Sequence, residues 1–565
     1  MRGLRKSGNS AYHDVGGIYN HIRDPNDRRR MALAEIDKSP LGWHHLRLVI
    51  VTGVGFFTDA YSLFAVSLAS TMIGIVYFQD HNGKLPKSSD TAIKVASSAG
   101  TVFGQLVFGY LADVLGRKKM YGVELLIIII GTLAQSLASA SPAVSIVGLL
   151  VFWRFVVGVG VGGDYPLSAV ITAELADTKW RGMMTAAVFA MQGLGQCVAA
   201  LLALIVTVAN KKTLERASSL SDCDADCRYS VDIMWRVVVG FAGIPGWFAL
   251  YYRLTIPETP RYTFDVKQDL EKATADSHKF ISGRKGSSGV NDLERAQARL
   301  EMAKYHKHPP ALLEFLRYFS KRKNFLQLVG TAGSWFFLDI AFYGLGLNTP
   351  TILSTIGFNP NGTIYDTLFN SAVGQLVLVC AGAIPGYWVT VLTVDFIGRK
   401  PIQIGGFAIL TLLFAIIGFC LKSLSQKALL ALYILAQFFF NFGPNATTFI
   451  LPAECFPTRL RATAHGFSAA AGKVGAVIAQ LVFAPMIARG ATPEDPHPWL
   501  NHVMQIFALL MLAGLGTSLL VPETKRRSLE EIAGKKGQEE YELRFVSRFF
   551  RQESRPERGW LRFSG

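Results

Sequence analysis

The stretch Val157–Leu175, VGVGVGGDYPLSAVITAEL, decides how the rest of the chain reads. It starts as an apolar helix crowded with Gly158, Gly160, Gly162 and Gly163, then sets Asp164, Tyr165 and Pro166 in a row inside the same hydrophobic run. Small residues at this spacing let two membrane helices pack backbone to backbone. An ionisable residue inside such a segment is expensive and marks a functional position. A glycine packing patch alone would need neither the acid nor the helix-breaking proline at that depth. Asp164 therefore reads as a site residue.

Composition agrees with a membrane setting. The 565 residues are 50% hydrophobic and 12% aromatic, with only 17% charged and a mean hydropathy of +0.30. A soluble protein carries about 25% charge. The deficit is concentrated in runs of the length that spans a bilayer, about 20 apolar residues each. The expected class is an all-α membrane protein of about twelve transmembrane helices in two six-helix bundles. The net charge of +16 then belongs to loops facing the cytoplasm rather than to nucleic acid. The first forty residues are polar and the first apolar run is a full span, so no cleavable signal is expected.

Apolar runs lie near 46–78, 93–112, 120–140, 144–170, 183–209 and 233–256, then near 325–347, 367–394, 401–422, 428–452, 463–488 and 502–521. The implied organisation is a tail over 1–44, a bundle over 45–260, a linker over 261–324, a second bundle over 325–522 and a tail over 523–565. The linker carries 14 Lys and Arg against 8 Asp and Glu. The motifs Gly116–Lys119, Asp177–Gly182, Gly398–Lys400 and Pro457–Thr463 fall on the linker's side. Positive charge marks the cytoplasmic side, which places both tails there as well. Leu293–His306 reads as an amphipathic surface helix. The segment after Glu540, RFVSRFFRQ with Trp560 beyond it, reads as a basic aromatic tail suited to lipid headgroups. The opposite side receives the sequon Asn361-Gly362-Thr363 and the pair Cys223 and Cys227, free or bridged. Asn445-Ala446-Thr447 also matches the sequon but lies within a span. Cys197, Cys380 and Cys420 lie in apolar runs as packing residues, and no cysteine has metal-ligand spacing.

The halves repeat one another. Asp113-x-x-Gly116-Arg117 recurs as Asp395-x-x-Gly398-Arg399, Glu174 as Glu454, Arg181 as Arg461, and PETPR at Pro257–Arg261 as PETKR at Pro522–Arg526. Parallel repeats of this kind place a binding site between the halves near the membrane midplane. The repeated acids and arginines are expected to form charge clusters bridging helix ends on the linker's side: Asp113 and Arg117 with Glu174 and Arg181, and Asp395 and Arg399 with Glu454 and Arg461. Glu454, beside Arg459 and Arg461, suits a structural ion pair. Arg154 lies deeper and needs a carbonyl or an acid on a neighbouring helix.

In GSWFFLDIAFYGLG, the i, i+4, i+8 spacing puts Trp335, Asp339 and Tyr343 on one helix face. Tyr and Trp alone would serve as interfacial anchors. Asp339 between them makes the face a candidate central site. Gln192, Asn445 and Lys473 also lie within spans, and Lys473 is suited to neutralise Asp339 in an empty site and to bind the anion when the site is loaded. Proton carriers must be carboxylates or histidines in a poorly solvated place, which makes Asp59 and Asp164 the candidates in the first half and Glu454 a third, better suited to its ion pair. No histidine lies mid-span.

GGDYPLS, with TAEL after it and WRG at Trp180–Gly182, resembles the signature of the phosphate:proton symporters of the major facilitator superfamily, in their fungal form. The resemblance extends over nearly the whole chain, from Asp59 to Lys525. It implies proton-coupled phosphate import at the plasma membrane by alternating access, with Tyr165, Gln192, Trp335, Asp339, Tyr343 and Asn445 binding phosphate. The chemistry agrees, because a tetrahedral oxyanion bearing protons wants many neutral donors and one acceptor for its own hydroxyl. The sequence departs from the family at Ser62, where DAYDLF is usual and this chain has DAYSLF. An organic-phosphate or sugar porter shares the PETPR and GRK motifs, and a phosphate-sensing receptor would have use for the basic linker and tail. Metal clusters, phosphate-cradling glycine loops and nucleophile constellations are not found, so neither an enzyme nor a cofactor is expected. The expected partners are phosphate, protons and the lipid bilayer.

Overall fold

In the computed structural model the described residues are 42–256, 258–267, 311–356, 362–487, 489–492 and 497–533. Asn361, the segment Leu293–His306 and the chain after Glu540 lie outside them. Among the described residues, twelve helices are long and apolar enough to cross a membrane. They are α1 (Trp43–Tyr77), α2 (Lys87–Leu115), α3 (Arg117–Ser136), α4 (Ile146–Leu175), α5 (Arg181–Ala209) and α6 (Ala225–Thr255), then α7 (Arg322–Gly346), α8 (Ile364–Ile397), α9 (Arg399–Cys420), α10 (Gln426–Cys455), α11 (Arg461–Ile487) and α12 (Leu500–Ser518). In lipid every backbone polar group must be satisfied internally, which is why these apolar runs are helices. They form two six-helix bundles in the major facilitator fold.

The glycine stripe of α4 works as its spacing suggested. A Cβ on Gly158 would collide with the Ser97 carbonyl of α2, and one on Gly162 with the Thr101 carbonyl. In return, Gly100 and Gly104 of α2 sit against the Phe155 and Val159 carbonyls of α4. Pro166 lies inside α4, which continues through it to Leu175. Both readings of the stretch hold together, since the stripe packs α2 while Asp164 turns to another neighbour.

Two seams join the halves. Along one, Gly466 of α11 lies against the Gln105 carbonyl of α2, and Gly109 of α2 against the Ala462 carbonyl. Along the other, Gly193 of α5 lies against the Tyr387 ring of α8. Among the described residues, two π-helical turns loosen the backbone pairing, Val379–Ala383 in α8 and Ala479–Phe483 in α11, both in the second half. On the face away from the basic motifs, Cys223 and Cys227 are bridged by a disulfide. The loop holding it packs on the second half, where Ile364 N donates to the Ala217 carbonyl. Arg154 finds a carbonyl, donating through Nε to Ile93 O at 2.8 Å, with Gln135 Oε1 at 3.5 Å.

Candidate functional site

The i, i+4, i+8 face of α7 meets the first half at mid-depth. Lys473 Nζ of α11 lies 2.8 Å from Asp339 Oδ2, with both side chains buried. The same ammonium sits over the Tyr343 ring at 4.3 Å and over the Tyr165 ring, from the other half, at 4.9 Å. A cation over an aromatic face is attracted by its quadrupole. The Tyr165 and Trp335 rings are 6.3 Å apart, tilted across the interface. Gln192 Nε2 donates to the Tyr165 hydroxyl at 3.0 Å. Asn445 Nδ2 donates to the Tyr387 hydroxyl at 2.9 Å and to Asn441 Oδ1 at 2.7 Å. All seven expected binding residues are thus buried near the plane between the halves. Phe64 stacks on Tyr343 from one side, and Phe56, Phe189 and Phe449 form an aromatic layer toward the other.

Two members of this environment escaped the sequence reading. Tyr387 lies within the 367–394 apolar run, and its hydroxyl joins Asn445 to Gln192. His465 lies one turn inside α11, edge-on to Trp335 with centroids 5.5 Å apart, and its Nε2 is 3.1 Å from the Phe449 carbonyl oxygen.

Asp164 belongs to a second cluster. Arg253 of α6 donates to Asp164 Oδ2 and to Glu124 Oε1, each at 2.7 Å. Ser168 also donates to Asp164, and Gly122 N donates to Glu124 Oε2 at 2.7 Å. Arg253 lies 4.2 Å over the Tyr121 ring. Asp59 of α1 is wholly buried, with Asp164, Arg253 and Glu124 as its charged neighbours. Gly55, one turn earlier, admits the Arg253 guanidinium against α1; a Cβ there would collide with it. Glu124 and Arg253 were missed, although the rule that flagged Asp164 applies equally to an acid inside GVELLIIII. Arg253 lies near the end of the 233–256 apolar run, where nothing singled it out.

The repeated acids and arginines cluster at the basic face, with the contacts of Arg461 and Arg181 different from expectation. Arg117 Nη2 lies 3.1 Å from Asp113 and 3.3 Å from Glu174. Arg399 lies 2.7 Å from Asp395 and 2.9 Å from Glu454. Arg461 does not pair with Glu454 in its own half; it crosses to Glu174 at 2.8 Å. Glu454 is occupied by Arg399 and Thr524, and Arg459 pairs with Glu314. Arg181 Nη1 donates to the Arg527 carbonyl beyond the second bundle at 3.0 Å. The acids cross too: Asp113 accepts from Thr463 N, and Asp395 from Met183 N, each at 2.7 Å. Each acid therefore sits at the start of a helix from the opposite half, where unpaired N–H groups and the helix dipole favour negative charge.

Two bundles, a buried polar site between them and charge clusters across one face define a transporter of the major facilitator superfamily. Residues 48–535 match the model of the sugar (and other) transporter family, and the chain belongs to that family. A repressible high-affinity phosphate permease of Neurospora crassa is 58% identical over 93% of this chain and 93% of its own length. An inorganic phosphate transporter of Saccharomyces cerevisiae is 50% identical over 94% of this chain and 91% of its own. Among solved structures, the proton:xylose symporter bound to 6-bromo-6-deoxy-D-glucose aligns with a TM-score of 0.67 at 19% identity, over 87% of this chain and 98% of that one, a likeness of fold.

Proposed function

We propose that the chain imports inorganic phosphate together with protons by alternating access of the site between its halves. The observation that carries this reading is the Lys473–Asp339 pair, 2.8 Å apart, set among the neutral hydroxyl, indole and amide donors of Tyr165, Gln192, Trp335, Tyr343 and Asn445. Asp339 accepts from a protonated phosphate oxygen, which discriminates against sulfate, a fully ionised acceptor. Lys473 is neutralised by Asp339 in the unloaded site and turns to the anion when it is loaded. The names of the Neurospora and Saccharomyces relatives support phosphate as the substrate.

Coupling rests on the second cluster. One guanidinium, Arg253, faces the carboxyl groups of Asp59, Asp164 and Glu124. Burying two uncompensated negative charges is prohibitive, so the cluster balances its charge by holding protons. Moving one charge against the membrane potential costs about 2.3 kcal/mol per 100 mV, so an anion entering a negative cell gains from the voltage only with more than one proton. The basic face, both tails and the 261–324 linker are cytoplasmic in this reading, the bundles span 45–260 and 325–522, and the membrane is the plasma membrane. The clusters at the basic face seal that side and part as the halves rock.

The test is radiolabelled phosphate uptake into proteoliposomes. An imposed proton gradient should drive accumulation that excess sulfate leaves intact. Binding without flux would favour a phosphate-sensing receptor instead, and inhibition by sugars or organic phosphates would move the substrate class.

A further inference from the structure

Tyr387 has no part in the reading above, yet it occupies the α5–α8 seam at the depth of the site. Its ring is buried, edge-on to Phe189 with centroids 5.9 Å apart. Gly193 of α5 is what lets it lie so close, since a Cβ there would approach the ring to 2.9 Å. The hydroxyl donates to Gln192 Oε1 at 3.3 Å and accepts from Asn445 Nδ2 at 2.9 Å. Gln192 continues to the Tyr165 hydroxyl at 3.0 Å, and Asn445 to Asn441 Oδ1 at 2.7 Å. One chain of polar groups thus runs Tyr165–Gln192–Tyr387–Asn445–Asn441, and its hydrogen bond across the seam is the one from Tyr387 to Gln192.

This arrangement answers a requirement of the transport cycle. A symporter moves between its two faces twice per cycle, once loaded and once unloaded. On the loaded passage, phosphate accepts from Tyr165, Gln192 and Asn445. On the unloaded passage the same groups are buried again, and a buried polar group without a partner is costly. A phenol hydroxyl both donates and accepts, so it serves an amide oxygen on one side and an amide N–H on the other. Resting on the transport reading, we propose that the Tyr387 hydroxyl is the cross-bridge that lets the unloaded carrier close and return. Tyr387 is a positioning residue: it holds the donors of both halves to one another while phosphate is away.

The variant Tyr387→Phe keeps the ring and removes only the hydroxyl. It is measured as the purified full chain in proteoliposomes, by two assays on the same preparation. Net uptake under an imposed proton gradient requires the unloaded return. Exchange of labelled for unlabelled phosphate, at equal concentrations on both sides, carries phosphate on both passages and omits that return. Net uptake is expected to fall about tenfold, equivalent to about 1.4 kcal/mol on the return step, while exchange rate and its KM change less than about twofold. The retained exchange shows in the same vesicles that the variant is folded. Equal loss in both assays makes the hydroxyl a phosphate ligand or a fold determinant and overturns the proposal. No loss in either overturns it too. If the unsubstituted protein exchanges no phosphate, the transport reading fails and takes this proposal with it.

Discussion

Arg461, at the first residue of α11, places its Nη1 2.8 Å from Glu174 Oε1, near the end of α4 in the other half. Glu174 also receives Arg117 of its own half at 3.3 Å and the Thr259 hydroxyl at 2.6 Å. One buried carboxylate thereby ties the two bundles together at the basic face. The paired helix-start contacts of Asp113 with Thr463 and Asp395 with Met183 lie on the same face.

Arg461→Glu should open this contact. Removing one partner of a buried ion pair costs about 3–5 kcal/mol, and the new glutamate adds repulsion. Uptake should be lost. Arg461→Lys should keep part of it, because a cation still faces Glu174 while Glu174 stays paired with Arg117. Equal loss in both variants at normal abundance would remove this pair from the closing contact.

Asp339→Asn should abolish phosphate accumulation, since an amide donates where the site needs an acceptor. Lys473→Ala should also damage uptake. The double variant should lose less than the two separate losses added together, because each single change strands the other's buried charge. Strictly additive losses would mean that the 2.8 Å pair is not a functional unit.

The fold was legible because its signals are local and repeated. Twelve apolar runs, the recurrent Asp-x-x-Gly-Arg motifs and the α7 spacing each act within a few turns of one helix. The phosphate-site candidates came together for the same reason, each being a polar residue in an apolar run. What escaped was pairing between distant segments. Nothing in the repeat distinguishes Arg461 reaching Glu454 in its own half from Arg461 reaching Glu174 across the interface. Arg253 stands beside Asp164 only because Gly55 leaves room for its guanidinium, a three-helix coincidence with no linear trace. Tyr387 was hidden because a tyrosine in a span reads as an anchor until its hydroxyl has partners.

Asp59→Asn should uncouple the carrier. The side chain is fully buried, and an amide of equal size fits where the carboxyl group stood. Proton-driven accumulation should vanish while phosphate exchange persists. Uphill uptake that survives the substitution would leave the proton load to Asp164 and Glu124. Ser62, also buried and one turn further along α1, offers the complementary change. Ser62→Asp should alter the pH profile of uptake at normal abundance; an unaltered profile would place it away from the proton path.

Asn361 should carry glycan when the chain is made in a eukaryotic secretory route, and Asn445, buried within α10, should not. Loss of a mobility shift on Asn361→Gln supports the orientation with the basic face in the cytoplasm. Labelling of residues 261–324 from outside intact cells would reverse it.

Cys197 and Cys380 offer a test of where the halves part. Their Sγ atoms are 3.7 Å apart across the α5–α8 seam, each near the middle of its helix. A bonded pair needs about 2.05 Å, a difference that side-chain rotation in a partly exposed pair can supply. Copper(II)-phenanthroline should therefore link them, with the two thiol protons released and the two electrons passing to copper. Bundles that rock about an axis at mid-depth move least at that depth, so the link should leave more than half of the exchange activity. The ends of the helices move most. Asp113→Cys with Thr463→Cys, in a Cys380→Ser background, joins positions that touch at 2.7 Å at the basic face. Linking that pair should stop the exchange remaining in the variant, and dithiothreitol should restore it. A complete, reduction-reversible block by the Cys197–Cys380 link would instead show that the halves separate at mid-depth, and the rocking motion would have to be replaced by one that opens the seam along its length.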